Sequence, residues 1–235
     1  MRLHATSSLP YIIMTMMQSL LTLCSTLAPY CGVLCFLAPM PTILQVSRDK
    51  STGALPLLPY SSMICNSFVW SMYGFLKNLP SVYCSNAVGV ILGIYYFRTY
   101  SSYCSMGAAK QIRMHLRGSA CIIVGNLCLV HILRDMAAEI IGKEGVFYCI
   151  VLFASPLVAL KHVLETKSAT SIPLPFTIAC FVNCFCWSMT GWFTMKDFNI
   201  YFPNLLGLSC ACAQLVLKGV YGDERGKRSG SGLPK

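Results

Sequence analysis

The chain writes one pattern twice. Pro39, Lys50, Ser51, Asn66, Phe68, Trp70, Ser71, Met72 and Gly74 recur 117 residues later as Pro156, Lys167, Ser168, Asn183, Phe185, Trp187, Ser188, Met189 and Gly191. Beyond that point the offset is 118, so Asn86 and Gly89 recur as Asn204 and Gly207. Such a sequence must fold as two similar units, and anything held between them meets Asn and Trp from both sides.

Composition decides the solvent. Of 235 residues 55% are hydrophobic and 11% charged, against about a quarter charged in a soluble domain. Apolar runs at Ile12–Leu37, Ser119–Leu133, Val146–Leu160 and Leu205–Val216 suit the roughly 20 residues with which a helix crosses hydrocarbon. The class is therefore an integral, multi-pass, all-α membrane protein. Lys+Arg outnumber Asp+Glu by 18 to 8, but the basic residues are scattered through short loops and a tail, without the basic groove or motif of a nucleic-acid binder. Most of the 14 Cys lie inside apolar runs, where a thiol behaves as a small hydrophobe. Cys184-Phe-Cys186 and Cys210-Ala-Cys212 lack the spacing and His partners of a zinc site; neither metal nor cofactor is expected.

Loop signals cut the chain into seven spans, at 19–45, 56–76, 82–103, 118–136, 144–165, 172–194 and 198–221. Residues 1–18 form an N-terminal extension, because the apolar run continues past the signal-peptide-like Ser25–Ala28 as far as Pro39. Residues 19–103 make the first three-helix repeat, 104–143 a loop and a linker helix without counterpart, 144–221 the second repeat, and 222–235 a short polar tail. Three spans are an odd number, so one extra helix is what lets the two triples run parallel. With the N-terminus outside, 13 Lys and Arg fall on the cytoplasmic side and 5 on the other, which the positive-inside rule reads as N-out, C-in.

Asn66 and Trp70 are four apart, hence on one helix face, and Asn183 and Trp187 repeat the pair. Asn86 and Asn204 stand near the starts of the third and seventh spans. Uncapped amides are costly in lipid, so these Asn face protein or water; a single one would read as interhelical glue, but a duplicated set with two Trp reads as a binding site. Transporter substrates commonly lie at such repeat interfaces. An amide both donates and accepts, as a hydroxyl does, and an indole offers a flat apolar wall. No charged side chain accompanies them, so a charged solute would be buried unpaired; a small neutral polyol fits. Pro39 and Pro156, inside the first and fifth helices, read as hinges, while Pro59 and Pro173 open the second and sixth.

The first half reads Ala38-Pro-Met-Pro-Thr42, Leu58-Pro-Tyr60, Trp70-Ser-Met-Tyr-Gly74 and Asn86-Ala-Val-Gly89; the second reads Ile172-Pro173, Trp187-Ser-Met-Thr-Gly191 and Phe202-Pro-Asn-Leu-Leu-Gly207. This set, over about 19–221, closely resembles the SWEET (MtN3/saliva) sugar transporters, a family known for parallel repeats. The resemblance implies a 3+1+3 bundle and facilitative, bidirectional uniport of mono- or disaccharides by alternating access. It implies pocket roles for Asn86, Asn204, Trp70 and Trp187, and a proline tetrad of Pro39, Pro59, Pro156 and Pro173, with Pro175 a rival for the last place. Tyr73 and Asp197 would close the extracellular side. Thr190 stands where the family has a second Tyr, so that gate leans on Tyr73. Asn66 and Asn183 replace smaller residues of disaccharide carriers, which favours a hexose such as glucose. Homo-oligomerisation follows from the resemblance, and the plasma membrane is the expected location, an internal membrane the alternative.

Other classes fit less well. A receptor would not carry this threefold internal repeat, and Lys218 sits at a helix end where snorkelling explains it. A related seven-helix carrier of another neutral solute or an amino acid is the nearest alternative, although the Pro-Gln pairs of lysosomal exporters are absent. Four His and scattered acids assemble no nucleophile–base pair, so the chain is not read as an enzyme.

Overall fold

The computed structural model describes residues 8–152 and 154–222. Among these every regular element is helical: α1 (Ser8–Leu37), α2 (Met40–Asp49), α3 (Leu58–Leu76), α4 (Pro80–Tyr103), α5 (Ala109–Leu133), α6 (Ala137–Leu152), α7 (Ala154–Thr166), α8 (Leu174–Met189, continued by a π-helical turn, Thr190–Met195) and α9 (Phe198–Tyr221). Taking α1 with α2 and α6 with α7 gives seven columns, as expected for a 3+1+3 bundle. Helices satisfy their own backbone polar groups, which hydrocarbon requires. Leu9–Asp49, Ala109–Thr166, Leu174–Met195 and Phe198–Tyr221 are long and apolar enough to cross a membrane. α3, with 19 residues, reaches about 28 Å at 1.5 Å per residue, a membrane's thickness, but spends much of its composition on buried Ser and Tyr.

The repeats pack alike. In the first, α1 and α3 both lie on α4, which is therefore the middle helix; in the second, α6, α7 and α8 all lie on α9. The two bundles then exchange contacts reciprocally, α1 against α8 and α3 against α6. The unpaired α5 packs on α3 and α6, along one seam between the bundles.

Buried residues show where the bundles join. One shared core takes Val69, Trp70 and Tyr73 from the first repeat and Ile141, Cys186, Trp187 and Ile200 from the second. At the opposite end each repeat keeps its own core: Ile43, Leu57, Tyr60, Tyr96 and Tyr100 in one, Val163, Ala169 and Ile172 in the other. The molecule is thus sealed at the end holding residues 73 and 197 and divided at the end holding the prolines.

Local chemistry sets the breaks. Pro39 was expected inside a helix; instead it occupies a two-residue turn, with φ −74° and ψ −11°, that separates α1 from α2. Proline lacks the N–H and crowds the carbonyl four residues back, so the helix stops and restarts. Pro156 lies within α7. Pro59 and Pro175 fall in the first turns of α3 and α8, where no N–H is needed, and Pro173 is the residue before α8. α2 and α7 end alike: Lys50 and Lys167 turn left-handed at φ 52° and 55°. Their ammonium groups then donate to Tyr103 and Tyr221, at 3.0 and 3.3 Å.

The change of offset has a structural form. Leu79 N–H donates to Gly74 O in the first repeat, and Asp197 N–H to Gly191 O in the second. The second turn contains one more residue, and the π-helix at Thr190–Met195 is where it is taken up; a single-residue insertion characteristically produces such a π-turn. Two expected boundaries move. α1 starts among the described residues at Ser8, inside the stretch read as an extension, and α6 starts at Ala137, seven residues before 144. The latter brings Glu144 inside a helix, where its carboxylate accepts from Asn126 Nδ2 at 3.3 Å.

Candidate functional site

All six pocket residues read from the sequence line one cavity of about 190 Å³ between the bundles: Asn66, Trp70 and Asn86 from the first repeat, Asn183, Trp187 and Asn204 from the second. Trp70 and Trp187 are each 8% exposed, so the indoles are walls of the protein interior and do not face lipid.

The amides are held in matched ways. Asn86 Nδ2 donates to Val82 O at 2.9 Å, and Asn204 Nδ2 donates to Ile200 O at 2.8 Å. Each side chain is tied to its own helix one turn back, with its oxygen and second N–H left for other partners. The Oδ1 atoms of Asn66 and Asn183 are buried and, among the described residues, accept no hydrogen bond. Buried polar atoms are nearly always paired, and these two unpaired ones belong to repeat-related residues that both line the cavity.

The sealed end is built by Tyr73 and Asp197. Tyr73 Oη donates to Asp197 Oδ2 at 2.6 Å and accepts from Asn199 Nδ2 at 3.3 Å. Asp197 Oδ1 also accepts from the Asn199 backbone N–H at 3.0 Å, capping α9. The Tyr73 ring stands edge-on to Trp70, centroids 5.6 Å apart at 89°, so the sealed end and the cavity share a wall. In the second repeat Thr190, the counterpart of Tyr73, turns aside and bonds Ser25 Oγ at 3.4 Å; Leu79, the counterpart of Asp197, has no acid to offer. Among the described residues this tyrosine–carboxylate contact accordingly has no twin, and it crosses from one repeat to the other. The four prolines line none of this; they sit at the divided end.

Three contributors escaped the sequence reading. Asn199 has no repeat counterpart to mark it. Gly142 and Gly145 were passed over as ordinary helix residues, yet a Cβ at Gly142 would meet Asn199 Nδ2 at 2.5 Å and Tyr73 Cε2 at 2.6 Å, and one at Gly145 would meet Trp70 at 2.9 Å. Their counterparts, Ser25 and Ala28, are also small; that shared smallness was the available signal.

Comparison with known proteins agrees with this geometry. The sequence pattern of the MtN3/saliva family, described as sugar efflux transporters for intercellular exchange, matches residues 18–107 and 139–225. The bidirectional sugar transporter SWEET4 of Oryza sativa subsp. indica is 29% identical over 198 residues, 79% of this chain and 74% of that protein. SWEET12 of Oryza sativa subsp. japonica is 27% identical over 211 residues, covering 88% and 70%, and SWEET7 of Arabidopsis thaliana is 28% identical over 195 residues, covering 79% and 74%. The solved structure of a eukaryotic SWEET transporter superposes with a TM-score of 0.73 at 25% identity, over 86% of this chain and 98% of that one.

Proposed function

We propose that this chain, which belongs to the MtN3/saliva (SWEET) family of sugar transporters, carries a neutral hexose down its gradient by alternating access, with the Asn–Trp cavity as the binding site. The observation that carries the reading is the pairing of a two-sided amide and indole cavity with one sealed and one divided end. A sugar ring places its C–H faces against indole and its hydroxyls on amides. Tyr73 and Asp197 would open as the bundles rock, while the break at Pro39 and the helix proline Pro156 let α2 and α7 close the other end. The cavity of about 190 Å³ lies below the 300–1,000 Å³ of drug-sized pockets, which suits one ring better than two. The amides of Asn66 and Asn183 fill the space a second ring would need.

The excess of Lys and Arg at the proline end supports a cytoplasmic position for it and an outward gate, with the plasma membrane as the site of action. Exposed Leu9, Ile12, Met16 and Leu20 on α1 give an apolar face suited to lipid and equally to a second copy of the chain. Radiolabelled glucose, fructose and sucrose uptake in transporter-deficient cells tests the reading. Glucose flux should be saturable, independent of an ion gradient and abolished by Asn204→Ala. Undiminished flux in that variant, at equal surface abundance, rejects the pocket. Asn66→Ser with Asn183→Ser should raise sucrose flux relative to glucose; no rise rejects the size argument.

A further inference from the structure

The cavity is duplicated in its amides and indoles but not in the helices facing them. Cys149 on α6 and Gly32 on α1 are repeat counterparts, 117 residues apart, and both line the cavity. Cys149 packs against the shared core that contains Trp70, so on that side a thiol forms part of the cavity wall. On the opposite wall Gly32 has no side chain to place there. A Cβ built on it would stand 3.7 Å from Asn183 Oδ1 and 3.7 Å from Trp187 Nε1, ordinary contact distances with no clash. The first half thus sets a thiol on the cavity wall, while in the second Trp187 Nε1 fronts the space beside Gly32, next to a buried carbonyl oxygen that accepts no hydrogen bond among the described residues. A donor and an acceptor side by side match a sugar hydroxyl, which accepts and donates at once.

We propose that the sugar binds off-centre, seated in the recess that Gly32 leaves against Asn183 and Trp187, and that the Gly32/Cys149 difference decides which half of the cavity does the binding. The inference rests on the sugar-transport reading and deepens it. It makes Gly32 a determinant of affinity through the space it vacates. Each carbon or sulfur added there occupies roughly the ~30 Å³ share of one water and covers the two polar atoms. In the first repeat the same function is already blocked by Cys149.

The test is glucose uptake kinetics of the full chain, normalised to surface abundance, in wild type, Gly32→Ala, Gly32→Cys and the exchanged variant Gly32→Cys/Cys149→Gly. A graded rise in KM is expected, about threefold for Ala and tenfold or more for Cys, with Vmax changed far less. The exchange should recover most of the Cys loss, because it reopens the equivalent recess in the other half. Gly32→Ala keeps the test decisive should the larger side chain hinder folding. KM within twofold of wild type in both single variants overturns the proposal, as does a fall in Vmax alone or a failure of the exchange to recover KM. If Asn204→Ala abolishes uptake in the same cells while these variants behave as wild type, only the off-centre placement fails. If Asn204→Ala also transports normally, the sugar site itself is wrong.

Discussion

Tyr73→Phe isolates one atom of the gate. The ring remains, and with it the edge contact to Trp70 at 5.6 Å and the packing on Gly142. What disappears is a hydrogen bond of 2.6 Å to a carboxylate and a weaker one from Asn199 at 3.3 Å. A bond to a charged group contributes about 1.5–3 kcal/mol net. Asp197 is not orphaned, because its other oxygen still caps α9, and the Asn199 amide can reach water once the gate parts. About 2 kcal/mol of closure is therefore lost, a shift of roughly 30-fold in the ratio of closed to open gate. Spin labels at Lys77 and Lys196, exposed on the two loops at this end, report the ratio as a short and a long distance in lipid nanodiscs. The open population should rise by about that factor. Asp197→Asn should shift it similarly, and the double variant should add little, since both remove one interaction. A change below threefold, or full additivity of the two substitutions, refutes the reasoning.

Gly142→Ala should open the same gate by a steric route, because its Cβ would displace Asn199 and the Tyr73 ring; an unaltered distance distribution counts against the close packing. Gly145→Ala drives a methyl into Trp70 at 2.9 Å, and glucose KM should rise severalfold as that indole tilts; unchanged KM would show that Trp70 can yield freely. Pro39→Ala restores a helix N–H and relieves an interruption worth about 3 kcal/mol, so α1 and α2 should merge, with higher helix content by circular dichroism and slower turnover. Faster or equal turnover would deny the break a role in motion. Asn86→Ala should lower uptake as Asn204→Ala does, because the two side chains are anchored alike within 0.1 Å; wild-type uptake in Asn86→Ala would remove that residue from the site.

The duplicated letters made the core of this structure legible. Rare residues at one constant offset fixed two copies of a helix triple, and the i, i+4 spacing of Asn and Trp fixed the face they share. That those faces meet followed from the cost of amides in lipid. Harder to read were features without a letter of their own. Gly32 matters through absence, Gly142 and Gly145 through how closely other helices approach, and Asn199, in the first turn of α9, through an amide that its counterpart Ser81 lacks. The start of α6 was misplaced because Lys143 and Glu144 look like a loop; the helix keeps Lys143 exposed in a pair with Glu139 at 2.6 Å and turns Glu144 toward Asn126. Pro39 reads from the sequence as a hinge inside a helix, whereas the structure breaks the helix there, and a kink and a full interruption differ only in what α2 packs against. The step from 117 to 118 was visible in the alignment of the halves, while its absorption by a π-turn required coordinates.

Two copies usually give insurance: a damaged asparagine on one wall leaves a sibling on the other. The latch between Tyr73 and Asp197 enjoys none, for each half kept a different part, the bolt in one and the keeper in the other. Mutational tolerance should therefore be lopsided, with loss of a single polar group most harmful at those two positions, while the buried Thr190 and the core-packed Leu79 are limited by volume and not by a partner across the seam.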